Sequence, residues 1–374
     1  MSQPPRGGPT ISACLIVKNE QPFLDGCLNS LRGLVDEIVV VDTGSTDASI
    51  DIARAHTARV LGYVWHDDFA AARNFGLDAA SSEWILYIDA DERLIKTTRD
   101  DLRAGLGAPD VYAARLLFRV TSNSTLYREF RLFRNDTRLR FKGAMHETIV
   151  PDLSLLQRDA GARVIDTTAK VVHLGYDGDM TTKYRRNLPL LRASVEREPD
   201  RSYYWHDLAN TLAGLGELDE AIAISGQGLA RPEPADRPGR IMRSMLIHTH
   251  ARLRMQRGED MRELIAVGLA FHPENWSLLF LRARASVNAG AFDAAIDDLL
   301  PLLAQDADTV VDDILAYDRR IFGAHAHDLM GVALLRMGDR PRAAEAFGRA
   351  ARAAPDVLEY RVKAAALGGA AASA

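Results

Sequence analysis

The feature that most constrains this chain is a change of periodicity at Pro199. Before it, short β-rich apolar runs alternate with amphipathic stretches. After it the strand signal vanishes, and Ala-, Leu- and Arg-rich helical sequence runs toward the end. One core cannot serve both patterns, so the 374 residues are expected to form two domains. In the first, the runs ISACLIV (11–17), EIVVVD (37–42), ARVLGY (58–63) and WILYID (84–89) are apolar on both faces. That pattern fits strands buried between helix layers in a mainly parallel sheet. Asn19 with Pro22 is read as one helix start, and the Ser/Thr/Asp chemistry of GSTDAS (44–49) as the next. Residues 111 to about 175 read as further strands with cleaner alternation: VYAARLLF, LYREFRLFR and RVIDTTAKVVHLGY.

Ligands of such sheets gather beyond the carboxyl ends of the strands. Those ends carry Lys18-Asn19-Glu20, Asp42 and Asp89-Ala90-Asp91. The Asp-x-Asp of IDADE (88–92) follows an apolar strand. Two carboxylates so spaced can hold a hard divalent cation, which in turn can bridge a diphosphate. Acidic strand ends are also common as solvated turns, so this motif takes its meaning from its surroundings. Formal charge is 46 − 51 = −5, which excludes a sequence-wide basic surface for nucleic acid. An acidic chain with carboxylates at its ligand-facing ends needs a cation, Mn2+ or Mg2+, to hold a diphosphate. The two cysteines, Cys14 and Cys27, fall in regular elements, form no metal knuckle, and suit burial in a reducing compartment. No segment has the roughly 18 apolar residues of a membrane span, and the start lacks an apolar signal region, so a cytoplasmic protein is expected.

The helical half repeats. Ala209/Ala221, Ala283/Ala295 and Gly331/Ala343 are each separated by 12 residues, with Gly216, Gly290 and Gly338 between the members of each pair. Pro232, Pro273 and Pro355 close units. The unit at 241–273 keeps Gly258 but has Glu263 at the second small position. This pattern resembles the tetratricopeptide repeat (TPR) of about 34 residues, in which small residues let paired helices pack closely.

Four ordered pieces, ISACLIVKNE, IVVVDTGSTD, DFAAARNFGLDAA and ILYIDADE, cover roughly the first 95 residues. Together they resemble the family 2 inverting nucleotide-sugar glycosyltransferases of the GT-A fold. The resemblance implies a mixed α/β sheet domain in which Asp42 contacts the nucleoside and Asp68 and Arg73 lie near base or phosphates. Asp89 would approach ribose and metal, and Asp91 would be a direct metal ligand. Val17, Asn19, Glu20 and Ala90 complete the expected donor-binding set. An Arg73 lying on the helix surface is the plainer alternative. The stretch FKGAMHETI (141–149) resembles the G-x-x-H-E segment of the repeat-bearing bacterial branch, and Glu147 is the candidate base for the acceptor proton. Its competing role is an ion pair with Arg131 or Arg134, which lie on opposite faces of one strand. His173 or, exclusively, His146 would complete a metal shell begun by Asp91. Arg185, Arg186 and Asn187 are read either as a basic flap over the diphosphate or as an ordinary helix opening.

The expected organisation is a lead (1–10), a GT-A domain (11–190), TPR-like repeats (199–360) and a tail (361–374). The combination resembles the peptide S- and O-glycosyltransferases of glycosylated bacteriocin pathways. It implies a UDP-sugar donor and a peptide or protein acceptor held by the repeats, with a cell-surface glycan or lipid-linked acceptor as the alternative. The repeats could instead form a homodimer. A nucleotidyltransferase is disfavoured because VKNEQP has no glycine-rich phosphate loop after the first strand. A non-catalytic repeat adaptor with an inactive nucleotide-binding domain would bind partners without turnover.

Overall fold

The computed structural model describes residues 8–175 and 180–368. Residues 1–7 of the expected lead and 369–374 of the expected tail lie outside them. The chain divides into two compact units. The first takes the described residues through Ser122, then Leu126 to Gly175, and Asp312–Ile314. The second takes Asn123–Thr125, Met180 to Val311, and Leu315 onward.

The first unit opens with β1 (Ile11–Val17), α1 (Gln21–Leu31), β2 (Glu37–Asp42), α2 (Ser49–Ala55) and β3 (Arg59–Gly62). It continues through α3 (Phe69–Ala79), β4 (Trp84–Tyr87), β5 (Glu92–Ile95), α4 (Arg99–Arg103), β6 (Val111–Arg119), β7 (Leu126–Arg134), α5 (Val150–Ala160) and β8 (Arg163–His173). The sheet order is β3-β2-β1-β4-β7-β6-β8-β5. Strands β3, β2, β1 and β4 run parallel, β7 is antiparallel to both β4 and β6, β8 is parallel to β6, and β5 is antiparallel to β8. The result is a mixed sheet with apolar clusters on both faces. One joins Leu24, Cys27, Leu28 and Leu31 of α1 to β1 and β4, and the other joins Leu77 of α3 to Ile85, Phe133 and Leu153.

Two elements escaped the expected pattern of strands. Strand β5 begins immediately after the Asp-x-Asp turn and is only four residues long. Helix α5 interrupts residues 111–175, started by Pro151 and ended by Gly161 in the left-handed region at φ 65°. Its Leu153 and Leu156 are buried at helical spacing.

The capping chemistry of GSTDAS serves two helices. At the start of α2 the N-cap Ala48 offers no side chain, and Asp47 Oδ1 accepts the Ser49 N–H at 3.0 Å. The same run also closes the entrance to α1. Ser49 Oγ accepts the Glu20 N–H at 2.8 Å, and Asp47 accepts the Gln21 N–H at 3.1 Å. Asn19 is no helix cap: it sits at φ 56°, and its Oδ1 accepts the Thr46 N–H at 2.7 Å. The loops after β1 and β2 are thus stitched together.

The second unit is helical: α6 (Thr181–Arg197), α7 (Ser202–Gly214), α8 (Leu218–Leu229), α9 (Arg237–Met255), α10 (Arg262–Phe271), α11 (Trp276–Asn288), α12 (Phe292–Leu303), α13 (Ala324–Arg336), α14 (Arg340–Ala353) and α15 (Leu358–Gly368). Helices α7/α8, α9/α10, α11/α12 and α13/α14 pack as antiparallel pairs. The first members form one row, α7 on α9, α9 on α11 and α11 on α13. Gly216, Gly258, Gly290 and Gly338 all turn in the left-handed region between paired helices. Ala209, Ala221, Ala283, Ala295 and Ala343 are fully buried, and a Cβ at Gly331 would lie 2.7 Å from the Phe347 ring. Where Glu263 breaks the pattern, Gly268 takes over, since a Cβ there would lie 2.7 Å from Leu278 Cδ1. The array is TPR-like.

The expected ends shift with α6 and α15. Helix α6 groups with the repeats, so the first unit ends ahead of residue 190. Residues 361–368, expected as tail, continue α15 because Tyr360 packs on Ala324 and Ala350, and Ala364 and Leu367 pack near Phe347. Arg185, Arg186 and Asn187 lie in the first half of α6, with Arg186 bonded to Asn187 at 3.1 Å. Among the described residues, no helix is long and apolar enough to cross a membrane.

Candidate active site

The parallel strands β2, β1 and β4 deliver their carboxyl ends side by side, as Asp42, Val17 and the Asp89-Ala90-Asp91 turn. Val17 O accepts both the N–H and the hydroxyl of Thr43, at 2.9 and 3.1 Å, which fixes the β2 exit against the β1 exit. Asp42 is buried and folds its carboxylate onto its own loop, accepting from the Gly44 and Ser45 N–H groups at 3.1 Å each. Asp68 caps α3 through the Ala71 N–H at 2.9 Å. Both therefore have local structural work beside their expected donor contacts.

Arg73 is not a surface arginine; only 8% of its side chain is exposed. Its Nε donates to Glu147 Oε1 at 2.5 Å and its Nη2 to Asp89 Oδ1 at 2.7 Å. The guanidinium carbon lies 5.1 Å from the centre of the Tyr87 ring and 5.6 Å from that of Phe141. Burial opposes its charge, yet the carboxylates of Asp89 and Glu147 outweigh burial and hold the guanidinium firmly protonated. Glu147 reaches this position because its segment is tied down twice. Asn74 exchanges two hydrogen bonds with the Phe141 backbone at 3.0 and 2.9 Å, and Lys142 pairs with Thr148 across the turn. His146 within that turn has φ 50°. The partner of Glu147 is thus Arg73, and not Arg131 or Arg134, which the competing role of an ion pair had named. Arg134 spends its guanidinium on the carbonyls of Val111 and Ala108.

Arg131 has a partner that the sequence reading left out. Glu92, 1% exposed, accepts from Arg131 Nη2 at 2.8 Å through one oxygen and from the Asp89 N–H at 2.9 Å through the other. Arg131 is sandwiched between Tyr87 at 4.5 Å and Phe118 at 4.6 Å. Burial pushes the Glu92 carboxyl up, helped by the charge of Asp89, and the guanidinium of Arg131 pulls it back down. Burial acts in the same direction on Asp89, but there Arg73 and Arg131 prevail and hold it at about 2. The signal in the sequence was the E of IDADE, which was read as the end of the motif rather than as the support beneath it.

The other half of the turn faces β8. Pairing of β5 with β8 sets Glu92 opposite His173, and the Leu174 N–H donates to Asp91 O at 2.8 Å. His173 Nε2 then lies 3.1 Å from Asp91 Oδ2. Gly175 is required here, since a Cβ would fall 2.1 Å from that same oxygen. Arg93 braces the turn from behind by donating to the carbonyls of Ala90, Glu92 and Phe23. Gly26 of α1 leaves room for it, a Cβ there meeting Arg93 Nη2 at 2.6 Å. A carboxylate oxygen beside an imidazole nitrogen is a donor set that a manganese-like divalent cation accepts. Among the described residues no third His, Cys, Asp or Glu joins a metal group. Cys14 and Cys27 are free and buried, and burial pushes both thiols up, that of Cys14 to about 12, which disfavours the thiolate.

With this geometry in place, residues 12–151 match the family model described as glycosyl transferase family 2. The stretch is a family 2 glycosyltransferase domain, and TPR-like repeats follow it in the same chain. Two curated relatives align over more than half of the chain. A TPR repeat-containing protein of Synechococcus elongatus is 37% identical over 237 residues, covering 61% of this chain and 59% of that protein. The SPbeta prophage-derived glycosyltransferase SunS of Bacillus subtilis is 29% identical over 223 residues, covering 57% and 52%. The chain therefore spans just over half the length of these relatives. Among solved structures, glucosyl-3-phosphoglycerate synthase from Mycobacterium tuberculosis in complex with Mn2+ and uridine-diphosphate-glucose aligns at 18% identity and TM-score 0.36. The alignment covers 51% of this chain and 79% of that one.

Proposed function

We propose that the first unit transfers a sugar from a nucleotide-diphosphate sugar, a UDP-sugar, to a side chain of a peptide or protein, with inversion at the anomeric carbon. One observation carries this reading: Asp91 of the acidic turn meets His173 of β8 at 3.1 Å, and Asp89 of the same turn is joined through Arg73 to Glu147. This arrangement supports a cation-binding pair beside a candidate base, with a separate task for each carboxylate. Asp91 and His173 would hold the divalent cation. When bound, the cation supplies Lewis-acid neutralisation of the charge that builds on the departing diphosphate, an effect worth several kcal/mol.

The chain's own groups do the rest. Glu147 takes the proton from the acceptor as it attacks. Arg73 fixes the carboxylate of Glu147 by a bond at Oε1 and keeps its position matched to that of Asp89. Arg131 and Glu92 lock the Asp89 backbone from beneath, so the turn does not have to be ordered when the donor arrives. Asp42, Val17, Asn19, Glu20 and Ala90, at and just beyond the strand ends, with Asp68 and Arg73 at the start of α3, hold the donor, and the repeats hold the acceptor.

A panel of nucleotide sugars, with and without manganese, tests the reading through slow donor hydrolysis and thermal stabilisation. A UDP-sugar is expected to be hydrolysed only with the metal. Glu147→Gln should retain donor stabilisation while its transfer rate falls by about 10²–10⁴-fold. Absence of any response to every donor would exclude the enzyme and leave a binding module.

A further inference from the structure

Three successive helices of the row formed by α7, α9, α11 and α13 repeat one side-chain arrangement. Each carries a ring and, four residues later, a hydrogen-bonding or cationic side chain: His206 and Asn210 on α7, His248 and Arg252 on α9, Phe280 and Arg284 on α11. Residues four apart share a helix face, so the six form two parallel stripes across α7, α9 and α11. The stripes are joined by contact. Arg252 Nη2 donates to Asn210 Oδ1 at 3.0 Å, Asn210 Nδ2 lies 3.3 Å from Thr249 Oγ1, and Thr249 Oγ1 lies 3.0 Å from His206 Nδ1.

The charge along the second stripe is of one sign. Burial weakens the protonation of Arg252, and the neighbouring charge of Arg284 weakens it further. Burial, then Arg252, His206 and Arg284 in turn, pushes His248 down to about 3, so its ring stays neutral. Arg284 is exposed, and neither arginine forms an ion pair with a carboxylate among the described residues. The fully buried arginines of this chain are matched by carboxylates, Arg73 by Asp89 and Glu147 and Arg131 by Glu92. Half-buried Arg93, Arg134 and Arg243 each donate to two or more backbone carbonyls, whereas Arg252 has the Asn210 amide oxygen and a second guanidinium beside it. Two like charges held together, one of them half-buried, are costly unless an anion joins them.

We propose that the Asn210–Arg252–Arg284 stripe binds an acidic segment of a polypeptide, its carboxylates taken by the two arginines and its backbone by Asn210, with the ring stripe alongside. The proposal rests on the reading of the repeats as a polypeptide-binding region and names the chemistry of what they bind. A guanidinium accepts a carboxylate through two parallel hydrogen bonds, which gives direction as well as charge.

The test measures binding of the full chain to a fluorescent glutamate-rich peptide and to a neutral glycine-serine peptide of the same length. Inorganic phosphate serves as a competitor, and donor hydrolysis is followed in parallel. The acidic peptide is expected to bind more tightly than the neutral one, by a margin that shrinks as salt rises. Arg252→Gln with Arg284→Gln should weaken it by about tenfold or more without lowering the melting temperature, and should leave donor hydrolysis unchanged. Arg336→Gln, an exposed arginine at the end of α13, should bind like the parent. Equal binding of both peptides, or equal binding by parent and double variant, would overturn the proposal. So would phosphate displacing the acidic peptide as effectively as unlabelled peptide does, because the site would then belong to a small anion. Donor hydrolysis in the parent separates this outcome from failure of the glycosyltransferase reading.

Discussion

Arg73 and Arg131 show how one turn can be stabilised by charges that water scarcely reaches. Each guanidinium lies against the face of Tyr87, and each answers a carboxylate of the IDADE turn. Removing one partner of a buried pair leaves the other desolvated and unmatched. Arg131→Met is therefore expected to cost about 3–5 kcal/mol in denaturant unfolding. Adding Glu92→Leu should restore much of that loss, because two apolar groups of similar size leave no buried charge. If the double variant is no more stable than Arg131→Met, Glu92 is not the partner that carries the cost. Arg131 was legible in the sequence as a residue facing one side of its strand. Its partner was not, because a four-residue strand directly after the acidic turn gives no periodicity to read.

At the scale of elements, Asp36 just before β2 accepts bonds from Arg99 at 2.6 Å, Arg103 at 2.8 Å and the Ile11 N–H at 2.8 Å, tying α4 to the start of β1. Burial raises its pKa, but Arg99, the Ile11 N–H and Arg103 together outweigh burial and hold the carboxyl below its usual range. The stability it contributes is therefore fully present above the unfolded carboxyl value of about 4, and is lost as pH falls through the lower folded value. Asp36→Asn should cost about 1–3 kcal/mol at neutral pH and flatten the acid limb of the unfolding profile. An unchanged acid limb would show that other carboxylates dominate there. Strands β1, β2 and β7 were legible to the residue because burial on both faces, or clean alternation, marks both ends. The Ser/Thr/Asp run at 44–49 was legible as capping chemistry for α2, where Asp47 accepts the Ser49 N–H, but not for its second target. Side chains there close backbone groups of Glu20 and Gln21 across a loop, and no pattern within one helix reports a partner on another. Gly26→Ala, which would press a methyl on Arg93, is expected to cost about 1–3 kcal/mol by thermal unfolding.

For the whole molecule, the change of periodicity at Pro199 foretold two units, and the equal spacing of small residues foretold the paired helices. The exchange of short segments, Asn123–Thr125 to the second unit and Asp312–Ile314 to the first, has no counterpart in periodicity. It depends on long-range contacts such as the Thr125 N–H on Tyr317 O at 2.8 Å. Packing of the repeats is separable from the acidic turn. Gly331→Ala, forced against Phe347, should lower the melting temperature by an amount corresponding to about 1–3 kcal/mol while leaving donor hydrolysis by the folded protein unchanged. Loss of hydrolysis at a temperature where that variant is fully folded would show that the repeat packing bears on the chemistry.

The central claim is that the acidic turn and β8 make one cation site, with His173 rather than His146 beside Asp91. Titration of UDP into the full chain with and without Mn2+ tests it most directly. UDP is expected to bind the parent and His146→Gln more tightly by about tenfold or more when Mn2+ is present. Asp91→Asn and His173→Gln should abolish that gain while remaining folded. An Mn2+ effect that vanishes in His146→Gln and persists in His173→Gln, or UDP binding indifferent to Mn2+ in the parent, would contradict the account.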